Sequence, residues 1–183
     1  ELINKIFIPK NEFLDVLKET TSAVEIDEDE DDLDEADIDA EINQGMLANL
    51  IEGALVEAVR QGVSDIHIIP QEGNRTEFHF RTDGKLQNWY TQEGTKPESV
   101  LAVVKDRARG VDRFERDKAQ DGFIQREIDG HLIRFRVSIL PIAGTRPERK
   151  FESVVIRILD DRKVVTDLSL LGLQPASLKA FKA

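Results

Sequence analysis

The sequence predicts an α+β domain, an antiparallel sheet of about six strands with helices on one face. Three observations carry that prediction. Short runs alternate apolar and polar residues with the strand period of two, as in Ile66 and Ile68 against Asp65 and His67, or Phe78 and Phe80 against Glu77, His79 and Arg81. Two Asp-Gly pairs, Asp83-Gly84 and Asp129-Gly130, sit between such runs, where a tight hairpin turn needs residues that tolerate positive φ. Two further stretches carry apolar residues at the three- and four-residue spacing of an amphipathic helix.

Taken in order, residues 1–23 read as the end of a preceding domain. Ile3, Ile6, Phe7 and Ile8 make a short strand, and Asn11 caps a helix to about Thr21 that aligns Phe13, Leu14 and Leu17. Residues 24–44 read as an acidic linker. Glu25–Glu41 holds twelve acids and no Lys or Arg, so like-charge repulsion favours an extended, mobile chain. The functional alternative, a calcium loop of the helix-loop-helix type, is not expected, because the run has no glycine for the sharp turn.

The main domain is expected over residues 45–163. A helix over Gly45–Gly62 presents Met46, Leu47, Leu50, Ile51, Ala54, Leu55 and Ala58 as a core-facing stripe, with Gly62 at a left-handed cap. Strands at Ser64–Pro70, Thr76–Thr82 and Lys85–Tyr90 follow. Thr95 with Glu98 reads as a capping box and Pro97 as a first-turn residue of a second helix. That helix buries Val100, Leu101, Val104 and Ala108, reaches about Arg109 and ends at Gly110. Val111–Gly122 reads as a polar loop. Phe123–Ile128 and His131–Leu140 form the second hairpin, Pro141–Lys150 a loop and Phe151–Leu159 the last strand. Residues 164–183 read as a connector, with a turn at Asp167–Leu171 closed by Gly172 and a final helix from Pro175.

Charge is distributed unevenly. The net formal charge is −11, but removing the acidic run leaves the rest of the chain at +1. A near-neutral folded part lacks the concentrated basic surface that nucleic acid requires, and no nucleic-acid partner is expected. The absence of cysteine excludes a disulfide framework and a thiolate metal site. No apolar run approaches the roughly 20 residues that span a bilayer.

The polar strand positions offer the chemistry. Arg81, Arg134, Arg136 and Arg157, with His67, His79 and His131, fall on outward positions. Several arginines on one face can meet phosphate oxygens with paired N–H donors. Alternation alone also produces such faces, and on the residues by themselves the favoured reading is a solvated sheet face with local ion pairs to Asp65, Glu77, Asp83 and Glu127. Asp65 and His67, two apart on a strand, could give two metal ligands with His79 as a third, but no second close-spaced pair accompanies them and no metal is expected. No serine occupies a Gly-x-Ser-x-Gly turn. Gly84-Lys85 is not a phosphate-binding loop, since Leu86 follows and His79 stands where the first glycine belongs. The chain therefore carries no catalytic centre of its own.

The order of short motifs adds a further expectation. Gly62-Val63-Ser64-Asp65-Ile66-His67-Ile68-Ile69-Pro70 is followed by Phe80-Arg81-Thr82-Asp83-Gly84-Lys85-Leu86 and Gln120-Asp121-Gly122. Phe135-Arg136-Val137-Ser138-Ile139-Leu140-Pro141 and Val155-Ile156-Arg157-Ile158-Leu159 complete the series. This order resembles the second N-terminal domain of the bacterial type II secretion and type IV pilus assembly ATPases, over about two thirds of the chain. The resemblance implies a PAS-like fold, with residues 1–23 ending a first N-terminal domain and residues 164–183 starting a tether to an ATPase domain. It implies a non-catalytic regulatory and assembly module of a cytoplasmic homohexameric ATP hydrolase. That hydrolase would use ATP and magnesium and would reach the inner membrane through platform components of its machine. The fragment itself needs no cofactor. Arg81, Arg136 and Arg157 match family arginines that approach nucleotide phosphates, and Asp65, His67, Asp83 and Asp121 are the implied interface positions. Gln87 and Val103 stand where the family often has arginine, and Asp117-Lys118-Ala119 replaces its Arg-x-Pro. Two other roles fit an α+β module of this size, a PAS-like sensor with a small-molecule pocket and a plain protein-interaction domain.

Overall fold

Six antiparallel strands form one sheet in the computed structural model, which describes residues 35–143, 150–163, 167, 170 and 172–181. The strands are β1 (Asp65–Gln71), β2 (Arg75–Thr82), β3 (Lys85–Gln92), β4 (Gln120–Ile128), β5 (His131–Ala143) and β6 (Lys150–Leu159). Their spatial order is β3-β2-β1-β6-β5-β4. Two meanders therefore meet at a β1–β6 seam, where Asp65 pairs with Arg157 and Ile66 with Ile156. This is the expected α+β architecture, and it is compatible with a PAS-like arrangement.

The helices are α1 (Glu35–Arg60), α2 (Pro97–Arg107) and α3 (Pro175–Phe181). Leu47, Leu50, Ile51, Ala54, Leu55 and Ala58 of α1 and Val100, Leu101 and Val104 of α2 are buried in one cluster with Ile66, Ile68, Phe78, Phe80, Phe135, Val137, Val154 and Ile156 of the sheet. Alternation thus sends every second strand residue under the helices. On the opposite face, among the described residues, Phe123, Arg136, Leu140, Arg157 and Leu159 are exposed. Both Asp-Gly pairs make the expected turns, with φ of 50° at Asp83 and Asp129.

Helix α1 ends as its sequence indicates. Gly62 takes φ 72°, and Gly62 N–H and Val63 N–H close onto the carbonyls of Val59 and Ala58. Its start differs from expectation. The helix begins at Glu35, so residues 35–44 of the expected linker are helical. Ala36, Ala40, Glu35 and Glu41 are strong helix formers, and their propensity outweighs the roughly 1 kcal/mol cost of Gly45. The expected strand and helix of residues 1–23, and residues 24–34 of the linker, lie outside the described residues. So do residues 144–149 of the expected Pro141–Lys150 loop and most of the expected Asp167–Leu171 turn.

Other boundaries shift for local reasons. The capping box does not form, because Lys96 is the N-cap, with no side-chain bond, and Thr95 lies one residue before it, where its Oγ1 accepts a hydrogen bond from Gln92 Nε2. Helix α2 stops at Arg107, where Ala108 turns extended so that Arg109 can exchange two backbone hydrogen bonds with Phe123. Strand β4 starts at Gln120 rather than Phe123, since Gln120 and Asp121 pair with Ile139 and Ser138. Strand β5 continues through Pro141 to Ala143. Proline is tolerated there because β4 has already ended and β5 has a neighbour on one side alone.

Candidate functional site: a charged row across the open sheet face

Register places one outward residue from each strand in a single lateral row. Leu86 of β3 lies opposite Arg81 of β2, which lies opposite Asp65 of β1. Asp65 then faces Arg157 of β6, Arg157 faces Arg136 of β5, and Arg136 faces Phe123 of β4. The sequence shows alternation within each strand, but it does not show the register that collects these residues into one line.

Asp65 is the pivot of the row. Its side chain is 7% exposed although it sits on the open face. Arg157 Nε donates to Oδ1 at 2.9 Å, Ser64 Oγ donates to Oδ2 at 2.8 Å, and Arg81 Nε lies 3.6 Å from Oδ2. Burial raises the cost of ionising Asp65, but the hydrogen bonds from Arg157 and Ser64 and the charges of Arg157 and Arg81 outweigh it. The carboxyl is held below its ordinary range.

The three arginines are held differently. Arg81 spends its donors inside the chain, with Nη1 on Gly84 O at 3.4 Å and Nη2 on His67 Nε2 at 3.3 Å. His67 therefore accepts as a neutral ring, and burial followed by the Arg81 charge lowers its pKa. Arg157 is bonded through Nε, and its side chain is 65% exposed. Arg136 gives Nε and Nη2 to Asp121 Oδ1 at 3.2 and 3.1 Å and is 63% exposed. Two arginines directly opposite on adjacent strands repel each other. Here each is drawn toward a carboxylate on its outer side, and the unbonded nitrogens of both stand on the open face.

Asp121 is set by its neighbours. Ser138 Oγ donates to its Oδ1 at 2.7 Å, and that bond with the Arg136 contact keeps its pKa low. Asp121 belongs to the Gln120-Asp121-Gly122 motif, and each member has a separate mechanical role. Gln120 Oε1 accepts from Asp112 N–H at 2.7 Å, and Gln120 Nε2 donates to the carbonyls of Asp112 and Glu115. Gly122 lets the strand pass close to the end of α2, since a Cβ there would lie 2.6 Å from Arg109 O and 2.5 Å from Val111 Cγ2.

Of the expected ion-pair carboxylates, Asp65 and Glu77 serve, the latter with Arg75 and His79. Asp121 takes Arg136, and Asp161 takes Arg134 at 3.1 Å. Asp83 sits in its turn and joins no ion pair among the described residues. Exposed Phe123 flanks Arg136 in the row, and exposed Leu159 follows Arg157 by two positions on the same face. Exposed Leu140 lies beyond Ser138 on β5. The face is thus an arginine pair set among apolar side chains, unlike a purely solvated sheet surface. Phosphate or carboxylate oxygens fit the paired N–H donors. No group of three or more metal-ligating side chains occurs among the described residues, and no helix there is long and apolar enough to cross a membrane.

Comparison with known proteins agrees over most of the chain. Residues 40–183 match the family model described as type II/IV secretion system protein. Type II secretion system protein E of Klebsiella pneumoniae is 34% identical over 82% of this chain and 28% of its own length. Type II secretion system ATPase E of Vibrio cholerae serotype O1 is 34% identical over 94% of this chain and 30% of its own. Type IV pilus assembly ATPase TfpB of Acinetobacter baylyi is 31% identical over 77% of this chain and 23% of its own. The chain therefore spans less than a third of the length of these curated relatives.

Proposed function

The chain belongs to the type II/IV secretion system protein family, and from that premise we propose that it is a non-catalytic regulatory and assembly module of a hexameric ATPase. The larger protein powers type II secretion or type IV pilus assembly from the cytoplasmic side of the inner membrane, where platform components of the machine hold it. The module packs its open sheet face against the ATPase domain of its own or a neighbouring subunit.

The observation that carries this reading is the Arg157–Arg136 pair, with unengaged N–H groups on an open face flanked by Phe123 and Leu159. Such a pair can neutralise phosphate charge at a nucleotide held by another domain. Asp65 and Asp121 orient the two guanidinium groups, and Arg81 acts through Asp65 and His67. The donor set fits phosphate oxygens and does not fit magnesium, which needs carboxylates or substrate oxygens. The phosphate cradle and the metal belong to the remainder of the larger protein, where the bound magnesium would neutralise charge on the transferring phosphate.

The isolated chain is accordingly expected to show no ATP turnover. Steady hydrolysis that co-purifies with it through two unrelated columns, and disappears in Arg136→Ala, would contradict this assignment.

A further inference from the structure

Between α1 and α2 lies a cavity of about 380 Å³ that the arginine face does not use. Small-molecule sites commonly have volumes of roughly 300–1,000 Å³, so the space suits a compact ligand. Leu47 of α1 and Ala102 and Val103 of α2 give it an apolar floor, and Leu47 and Val103 are buried. Val103 stands where the family often has arginine, and valine keeps the floor apolar and the space clear of a long charged side chain. Asn43, Thr95 and Ser99 line the rim with neutral hydrogen-bonding groups. Thr95 Oγ1 already accepts from Gln92 Nε2, which leaves its own O–H to donate. The floor belongs to the helix layer, on the side of the sheet away from Arg136 and Arg157.

Charge decides the class of occupant. Lys96 and Arg113 also line the cavity, and among the described residues no Asp or Glu does, in a chain with 36 acids against 25 Lys and Arg. Lys96 makes no ion pair or side-chain hydrogen bond among the described residues. Arg113 Nη1 lies 3.1 Å from Asp106 Oδ2, which engages one of its three nitrogens. Arginine can meet phosphate oxygens with paired N–H donors, and lysine adds a point charge. An apolar floor, a neutral polar rim and two cations together suit an anionic head joined to a flat body. We infer that this cavity binds a small organic phosphate of mononucleotide size. Its phosphate meets Lys96 and Arg113, and its ring lies on Leu47, Ala102 and Val103. A ligand so placed bridges the two helices that seal the core. The site is separate from the arginine face, and it stands or falls independently of the functional reading above.

The test follows the amide resonances of the isotope-labelled chain while adenosine monophosphate, phenyl phosphate or inorganic phosphate is added. Both esters should bind with a Kd below about 1 mM, and the shifts should centre on Asn43–Leu47 and Gly94–Ser99. Inorganic phosphate cannot reach the floor and should bind about ten-fold more weakly or worse. Lys96→Glu should weaken adenosine monophosphate by about ten-fold or more, because a charge-assisted contact becomes a repulsion. Lys96 is exposed, and the spectrum of the variant itself reports that the fold is kept. Inorganic phosphate binding as tightly as the esters would reveal an adventitious anion contact only, and would overturn the site. Shifts confined to the strands around Arg136 and Arg157 would assign the phosphate to the arginine face, leaving the functional reading intact and this inference overturned. Saturable binding of neither ester, or a Lys96→Glu chain that binds as the parent does, overturns it equally.

Discussion

Asp65 shows how a single residue can look like a surface charge in sequence and be a buried pivot in the fold. Alternation puts it on the polar face, but its position in the central strand β1 places it between two arginines, and their side chains cover it. Replacing it by Asn removes charged hydrogen bonds, and with the exposed Arg157 end discounted the expected loss is about 1–3 kcal/mol at neutral pH. Because its folded pKa is depressed, the wild-type advantage is complete above the unfolded value of about 4 and is lost as pH falls through the folded value. Denaturant midpoints for Asp65→Asn and the parent should therefore converge in acid. His67 obeys the same sign from a different cause. Its lowered pKa means that the neutral ring stabilises the fold above about pH 6.5 and that this contribution disappears as pH falls from there through the folded value. Arg81, Asp65 and His79 are the charged and titratable groups facing it. The parent should lose more stability between pH 7.5 and 5.5 than His67→Gln does, and equal losses would remove the assignment. Gly122→Ala gives a purely steric test. The added methyl meets a backbone carbonyl that cannot swing away, so urea unfolding should show a loss of about 1–3 kcal/mol.

At the scale of elements, most of the fold was legible because its signals are local. Period-two runs, Asp-Gly turns and the apolar stripe of α1 each depend on residues within a few positions of one another, and all six strands and the α1 cap follow from them. What was not legible depends on partners distant in sequence. Thr95 falls one residue short of the α2 N-cap and bonds Gln92 instead, and the Gln120–Gly122 segment became strand because β5 offered it Ser138 and Ile139. The site divides in the same way. That Arg81, Arg136 and Arg157 point outward was readable from alternation, whereas their register with Asp65 depends on the β1–β6 seam, which joins residues 92 positions apart. The start of α1 at Glu35 carries its own prediction. Among the described side chains of the helix the buried ones begin at Leu47, so removing residues 1–34 should leave the melting temperature within a few degrees. A large fall in a thermal scan would show that the preceding residues contribute to this core.

The whole molecule separates its tasks between two faces. One side of the sheet is sealed by α1 and α2, and it accounts for stability. The other carries an arginine pair, apolar neighbours and carboxylates that bond the guanidinium groups, and it is the face we propose to act within a larger ATPase. The measurement that tests this division most directly compares Arg136→Ala and Arg157→Ala in two settings, the stability of the isolated chain and the ATP turnover per assembled full-length protein. Both arginines are mostly exposed, and Arg136, which bonds exposed Asp121, should change the isolated chain by no more than about 0.5 kcal/mol, whereas Arg157 also bonds buried Asp65 and its loss should cost about 1–3 kcal/mol. Turnover should fall by at least about ten-fold, because a donor that stabilises phosphoryl charge is gone. The opposite pattern, a destabilised chain with unchanged turnover, would show that the arginines serve the sheet and not the nucleotide.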